Sequence, residues 1–343
     1  MAEGLNGPQQ VQQQLVNSTK RQHFLSQADQ RLNALNPAAT AANQRIFSFS
    51  LADREGHTVS LDTPMGRAIS TNLVLHDLFS FDVIKRSGAR LNFEALFGQY
   101  ESGMTANTLE LLRKLQCGIP DIKAEVLNIF TAKFMSFLRN PYSIKKVLNT
   151  IGTIGTFHPT DPILLEQYNA ILAGKKPQQK HLCSQLGITP AEYQAWLSAL
   201  FMTLIRPSSE DLNLLERIVK NLYEDPSNDV SVVVYQYTDE HLDKRCLLSD
   251  RGYSIPLPGA DHLAFSFNLC SNAFITYVFA DIKKLAPRGT RPQLLDLYKR
   301  RHKNVRVIHV NNNLKELSIY NRRVVYQCFR GVYSSSQTIY GLQ

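Results

Sequence analysis

The chain has 343 residues, 43% of them apolar, and 38 Lys and Arg against 29 Asp and Glu, for a formal charge of +9. That length accommodates one large domain or two ordinary ones with a proper core, which excludes a fold that depends on staples, and the scattered Cys117, Cys183, Cys246, Cys270 and Cys328, with no C-x-x-C pair, exclude a disulfide framework or a thiolate zinc site. No apolar run approaches the roughly 20 residues of a membrane span, so the expectation is a cytoplasmic protein without a membrane partner, whose positive charge suits polyanions.

Residues 1–19 are glutamine-rich and offer little to bury, which predicts a mobile leader, with structure from Lys20 onward. Phe24, Leu25, Ala28, Leu32 and Leu35 recur at helical spacing before Pro37 breaks the pattern. "RIFSFSL" and "HTVSLD" then alternate around the turn-like "DREGH", the signature of a β-hairpin.

From about 90 to 224 the period becomes helical. Ile122, Val126, Ile129 or Phe130, Phe134 and Phe137 trace one buried stripe, Asn140 and Pro141 start a new helix, and "DPILLEQYNAILAG", "KHLCSQLG" and "TPAEYQAWLSALFMTLI" supply three more. A last helix of this region opens at Ser208 with acidic residues in its first turn. After "DPSND" the β pattern returns: "VSVVVYQY" reads as an interior strand, with "KRCLLSDRG", "HLAFSFNL" and "AFITYVFAD" as its neighbours. A basic amphipathic helix "RPQLLDLYKRRHK", a strand "VRVIHV" and a final helix follow, and the chain closes in an expected frayed tail over 336–343. The predicted fold class is α+β: an N-terminal β-hairpin and a C-terminal, mostly antiparallel sheet around a central multi-helix region. No Gly-, Pro- or Ser-rich linker divides it, so residues 20–335 read as one domain.

Most catalytic motifs are absent. There is no phosphate-cradling glycine loop, since "GTIGTF" follows a helix and reads as a turn, and there is no G-x-S-x-G elbow, H-E-x-x-H or deaminase signature. His181 and Cys183 lack a third ligand and read as a surface residue beside a buried thiol. Asp281 and Lys283, with Asp261 upstream, have the residue types of a metal-dependent nuclease, but the pattern is common by chance and fits a solvated strand end. "YKRRHKNVR", Tyr298 to Arg306, fits either a phosphate-binding surface or a charged helix end.

Three separated stretches resemble a widespread bacterial family of uncharacterised function, whose members open with a basic residue, His, an aromatic, Val, Pro and often Gln. Here that opening is "KRQHFLSQ", with His23, Phe24, Leu25 and Gln27 in place and Ser26 where the family has Pro. "FEALFGQYES", carrying Glu94 and Glu101, resembles the family's acidic helix; "LLSDRGYSIP" resembles its strand ending in Ser-Asp, with Tyr253 in place of the usual Pro. The last helix, opening with Asn311 or Asn313, is similar as well. The family lends a residue pattern without an attached activity.

Convergence of these groups would suit phosphodiester hydrolysis. In that reading His23 is base or ligand, Glu101 and Asp250 hold a Mg2+ or Mn2+ ion or orient water, Ser249 joins them in catalysis, and Gln27, Arg251, Asn311 and Lys20 contact substrate. The expected function is a nuclease-like, nucleic-acid-processing bacterial effector, in anti-phage defence; the alternative is a non-enzymatic recognition protein that binds a phage or host protein or nucleic acid. A hydrolase or transferase acting on a nucleotide is a third reading.

Overall fold

A computed structural model of the chain describes residues 15–83, 90–207, 211–256, 262–285, 289–291, 293–294, 296–297 and 305–342. The fold is α+β. Two compact units are each assembled from three stretches: Met1–Phe24, Leu73–Gly103 and Phe134–Ile218 form the first, and Leu25–Asn72, Met104–Lys133 and Val219–Gln343 the second. The sequence carries no linker at one boundary because the chain crosses it inside a helix, Lys123–Arg139, which belongs to the first unit from Phe134 onward.

In the first unit the helix Pro190–Leu204 is buried on nearly every side, through Tyr193, Trp196, Leu197, Leu200 and Phe201. It begins where the sequence predicts, with Pro190 in its first turn and Thr189 forming a reciprocal capping box with Glu192. Two of its buried aromatic side chains find polar partners: Trp196 Nε1 donates to the Leu138 carbonyl at 2.8 Å and the Tyr193 hydroxyl to that of Leu78 at 2.5 Å. The "GTIGTF" turn packs onto this helix so closely that a Cβ on Gly155 would lie 2.9 Å from the Ala199 nitrogen. Ordered structure starts earlier than Lys20. Leu15 is fully buried and Val16–Asn17 pairs with Arg90–Leu91, which also pairs with Asp82–Val83.

The predicted helix from Phe24 is replaced by a strand, Arg21–His23, antiparallel to Val74–His76, and a short helix, Gln27–Arg31. The physical reason lies in Ser26, whose hydroxyl accepts from the Asp29 amide at 3.0 Å and fixes the helix start after the apolar pair Phe24 and Leu25.

The second unit contains two sheets. In one, His262–Cys270, Ala273–Asp281 and Asn228–Gln236 are antiparallel neighbours and Arg306–Asn311 runs parallel to the last of them. "VSVVVYQY" is thus an interior strand, as expected. The stripe's residues within this unit pack on the sheet: Phe130 lies 4.8 Å from the Tyr277 ring and 5.1 Å from that of Phe279, and the Tyr277 hydroxyl donates to the Val126 carbonyl at 3.0 Å.

The other sheet has the order Leu248–Ser249, Gly331–Ser334, Arg45–Asp53 and Thr58–Leu61, with Arg67–Ala68 also paired to Arg45–Asp53. The hairpin is therefore correct, whereas "KRCLLSDRG" is not a neighbour of "VSVVVYQY": Leu248 and Ser249 pair with Tyr333 and Val332. The final helix, Leu314–Gln327, buries Leu317, Tyr320, Val324 and Val325 among Phe49, Phe274 and Val332, with Tyr320 stacked on Phe274 at 4.0 Å. The tail is ordered over its described residues, through Leu342. Ile339, Tyr340 and Leu342 pack on that cluster, and Asn321 Nδ2 donates to the Tyr340 carbonyl at 3.0 Å.

A buried ion pair, Lys133 with Asp29, joins the short helix to this unit's core. Lys133 Nζ also donates to the Asn268 carbonyl at 2.6 Å, and Ser26 Oγ donates to the Asp29 carboxylate at 3.1 Å, so both charges are hydrogen-bonded.

Candidate functional site

The predicted site residues are divided between the units. Lys20, His23 and Glu101 lie in the first; Gln27, Ser249, Asp250, Arg251 and Asn311 lie in the second. Lys20 is exposed, and its carbonyl accepts from the Asp77 amide at 2.7 Å. His23 is half-buried opposite Val74. Gln27 Oε1 accepts from Arg31 one turn later at 2.6 Å, and Asn311 ends its strand opposite Gln236. Of the nearby asparagines, Asn313 caps the final helix by accepting from the Glu316 amide. Asp281 caps the short helix after its strand, accepting from the Lys283 amide at 2.8 Å. Asp261, Ser208 and most of the basic run from Tyr298 lie outside the described residues.

Asp250 is buried and serves the backbone. One carboxylate oxygen accepts from the Phe329 amide at 2.8 Å; the other accepts from Arg330 at 2.6 Å and Gly331 at 3.2 Å. Burial raises its pKa, against the opposing effect of these three amides. Ser249 Oγ in turn accepts from the Arg251 amide at 3.1 Å. Together they fix the loop before the strand Gly331–Ser334.

That loop displays the second unit's arginine–aromatic surface. The Arg251 and Arg330 guanidinium groups lie 5.9 and 5.7 Å from the centroid of one ring, Phe329. Arg54 donates to the Tyr326 carbonyl and, at 2.8 Å, to that of Cys328, capping the end of the final helix, where a cation suits the helix dipole. His57 sits 6.2 Å from the ring of Tyr326, which is 44% exposed. Along the same helix Lys315, Ile319, Arg322 and Tyr326 form one exposed stripe at helical spacing. Asp53 and Glu55, in the turn around Arg54, are exposed carboxylates beside it.

The first unit holds a different cluster. The helix Glu94–Glu101 places Glu94, Phe97 and Glu101 on one face, three and seven residues apart. Arg139, at the end of its own helix and 1% exposed, pairs with Glu101, and its guanidinium stands 4.9 Å over the Phe97 ring. Burial pushes the Glu94 carboxyl up to about 7; the Arg139 charge opposes that rise and the Glu101 charge adds to it. Glu94 Oε1 and Arg139 Nε are buried without a hydrogen-bond partner among the described residues. Glu94 can therefore exchange a proton near neutrality. Sequence reasoning quoted Glu94 without assigning it a role; its signal is its position two helical turns before Glu101.

The expected Mg2+ or Mn2+ ligands do not fit a cation as placed. Glu101 is paired with Arg139 and Asp250 with three amides. Among the described residues no three His, Cys, Asp or Glu side chains gather in a metal-binding group, and no helix is long and apolar enough to cross a membrane. No protein-family model, curated protein or solved structure matches the chain.

Proposed function

We propose that the protein processes nucleic acid and holds a single strand on the surface formed by Arg251, Arg322, Arg330, Tyr326 and Phe329. The observation that supports this most is the pair of guanidinium groups over Phe329 beside the exposed Tyr326. Arginines contact phosphates while flat rings stack on bases of any identity, so such a surface favours an unpaired strand over a duplex. The net charge of +9 strengthens encounter with any polyanion.

Titration of labelled oligo(U) and oligo(dT), with duplex DNA as competitor, tests the reading. Tyr326→Ala should weaken single-strand binding by about tenfold, in line with one lost stacking contact. Equal affinity in the Tyr326→Ala and unaltered proteins would remove the reading.

A second reading, hydrolysis at the first unit's own cluster, is favoured by a separate observation, the near-neutral Glu94 beside Arg139 and Glu101. A carboxyl titrating near working pH suits proton transfer to a leaving oxygen. Incubating RNA and DNA with and without Mg2+ or Mn2+ distinguishes chemistry from recognition alone. Cleavage that Glu94→Gln abolishes supports an enzyme; binding without cleavage assigns the protein to non-enzymatic recognition.

A further inference from the structure

We infer that the edge of the four-stranded sheet that no described strand pairs, with the apolar cleft beside it, binds an extended peptide of alternating apolar and acidic residues. This site lies wholly in the second unit and goes beyond nucleic-acid binding.

The edge is the strand Arg306–Asn311, last in the sheet order and paired only with Asn228–Gln236 among the described residues. The Asn312 amide donates to the Gln236 carbonyl at 2.9 Å. Alternate residues of a parallel strand face their partner, so Arg306, Ile308 and Val310 turn their backbone groups inward and Val307, His309 and Asn311 turn theirs outward. Three amides and three carbonyls then stand in line for a further strand. His309 is held by a 3.1 Å contact between its Nε2 and Gln236 Oε1.

Beside this edge lies a cleft of about 500 Å³, lined by Leu115, Ile119, Pro120, Ile122, Lys123 and Val307. Its wall is pre-formed. Gly118, at φ +66°, ends the helix Met104–Gln116, the Ile119 amide returns to the Lys114 carbonyl at 2.9 Å, and Lys114 Nζ holds the Asp121 carbonyl at 2.8 Å. A strand added to the edge would point alternate side chains into this cleft, so main-chain bonds would supply affinity and the apolar wall selectivity. Among the described residues its lining has no aromatic ring to stack a base, which separates it from the arginine–aromatic surface.

The preference for acidic residues follows from the rim. Lys123 and Arg306 are exposed cations, and Glu125, two residues after Lys123, is paired with Lys114 at 2.8 Å.

The test uses the full chain and a labelled octapeptide alternating Asp and Val, with two controls: the same peptide with Lys for Asp, and one N-methylated at alternate residues. By fluorescence anisotropy, the Asp–Val peptide should bind at least about tenfold more tightly than either control, a difference of one 1.4 kcal/mol step. Ile119→Asp should abolish binding while melting as the parent does. Lys123→Glu, at an exposed helix start, should reverse the preference between acidic and basic peptides and serves if Ile119→Asp unfolds. Failure of the Asp–Val peptide to bind, or unchanged affinity after N-methylation, overturns the inference. A dimer in sedimentation that Ile119→Asp dissolves would also overturn it, by assigning the edge to a second copy of the chain.

Discussion

At the scale of single residues, Glu94 and Asp250 are carboxylates with opposite solutions to burial. Glu94 has a folded pKa of about 7 against an ordinary 4.5, so the native state binds more protons than the unfolded chain between those values. Its contribution is fully present below about pH 4.5 and is lost as pH rises through about 7. Glu94→Gln should flatten this dependence and stabilise the protein at about pH 8, by up to roughly 3 kcal/mol, as read from urea midpoints at acid and alkaline pH. Asp250 instead satisfies three amides. Asp250→Ala should destabilise by about 3 kcal/mol, because buried N–H groups lose their acceptor. It should also weaken strand binding by loosening Phe329 and Arg330, while Asp250→Asn, which retains one acceptor oxygen, should recover part of both losses. Sequence alone assigns Asp250 a cation- or water-holding role and Glu94 none, and the surroundings of neither are visible there. The charges of Arg139 and Glu101 reach Glu94 only in the fold, and the amides of 329–331 meet Asp250 only through the pairing of Leu248–Ser249 with Gly331–Ser334.

At the scale of elements, the helices were legible where apolar period and cap agreed. Asn140, Asp161 and Thr189 each accept from an amide two or three residues on, at the starts their sequences mark. Two-residue strands carry no period, which is why Val16–Asn17 escaped notice and why Leu248–Ser249, though expected as a strand, was given the wrong partner. The arginine–aromatic surface was illegible for another reason: Arg54, Arg251 and Arg330 come from distant stretches that only folding brings to Tyr326 and Phe329. Packing between elements is unforgiving at Gly155. Gly155→Ala should cost about 1–3 kcal/mol by crowding the Ala199 backbone, measured by chemical denaturation. The ion pair between Lys133 and Asp29 is equally sensitive: Lys133→Met alone should cost about 3–5 kcal/mol, whereas the double variant with Asp29→Leu should recover much of it.

At the scale of the whole molecule, the excess of basic residues predicts salt-sensitive binding. Each single-strand phosphate contact contributes about 0.7 to the slope of log affinity against log salt. Replacing Arg322 and Arg330 together by Ala should therefore lower that slope by about 1.4, with affinity falling alike for U, A and C oligomers. A change confined to one base would instead mean sequence-specific reading, which this surface is not built for.

The interleaving of the two units along the chain also sets an order of events during translation. Every residue of the first unit precedes position 219, whereas the second lacks Asn228–Gln236 and all that follows until later. The hairpin Arg45–Leu61 and the segment Met104–Lys133 therefore leave the ribosome well before their sheet partners exist, with Phe49 and Phe130 still uncovered. The nascent chain should bind holdase chaperones through those segments, and stalling translation before residue 228 should yield protease resistance in the first unit alone.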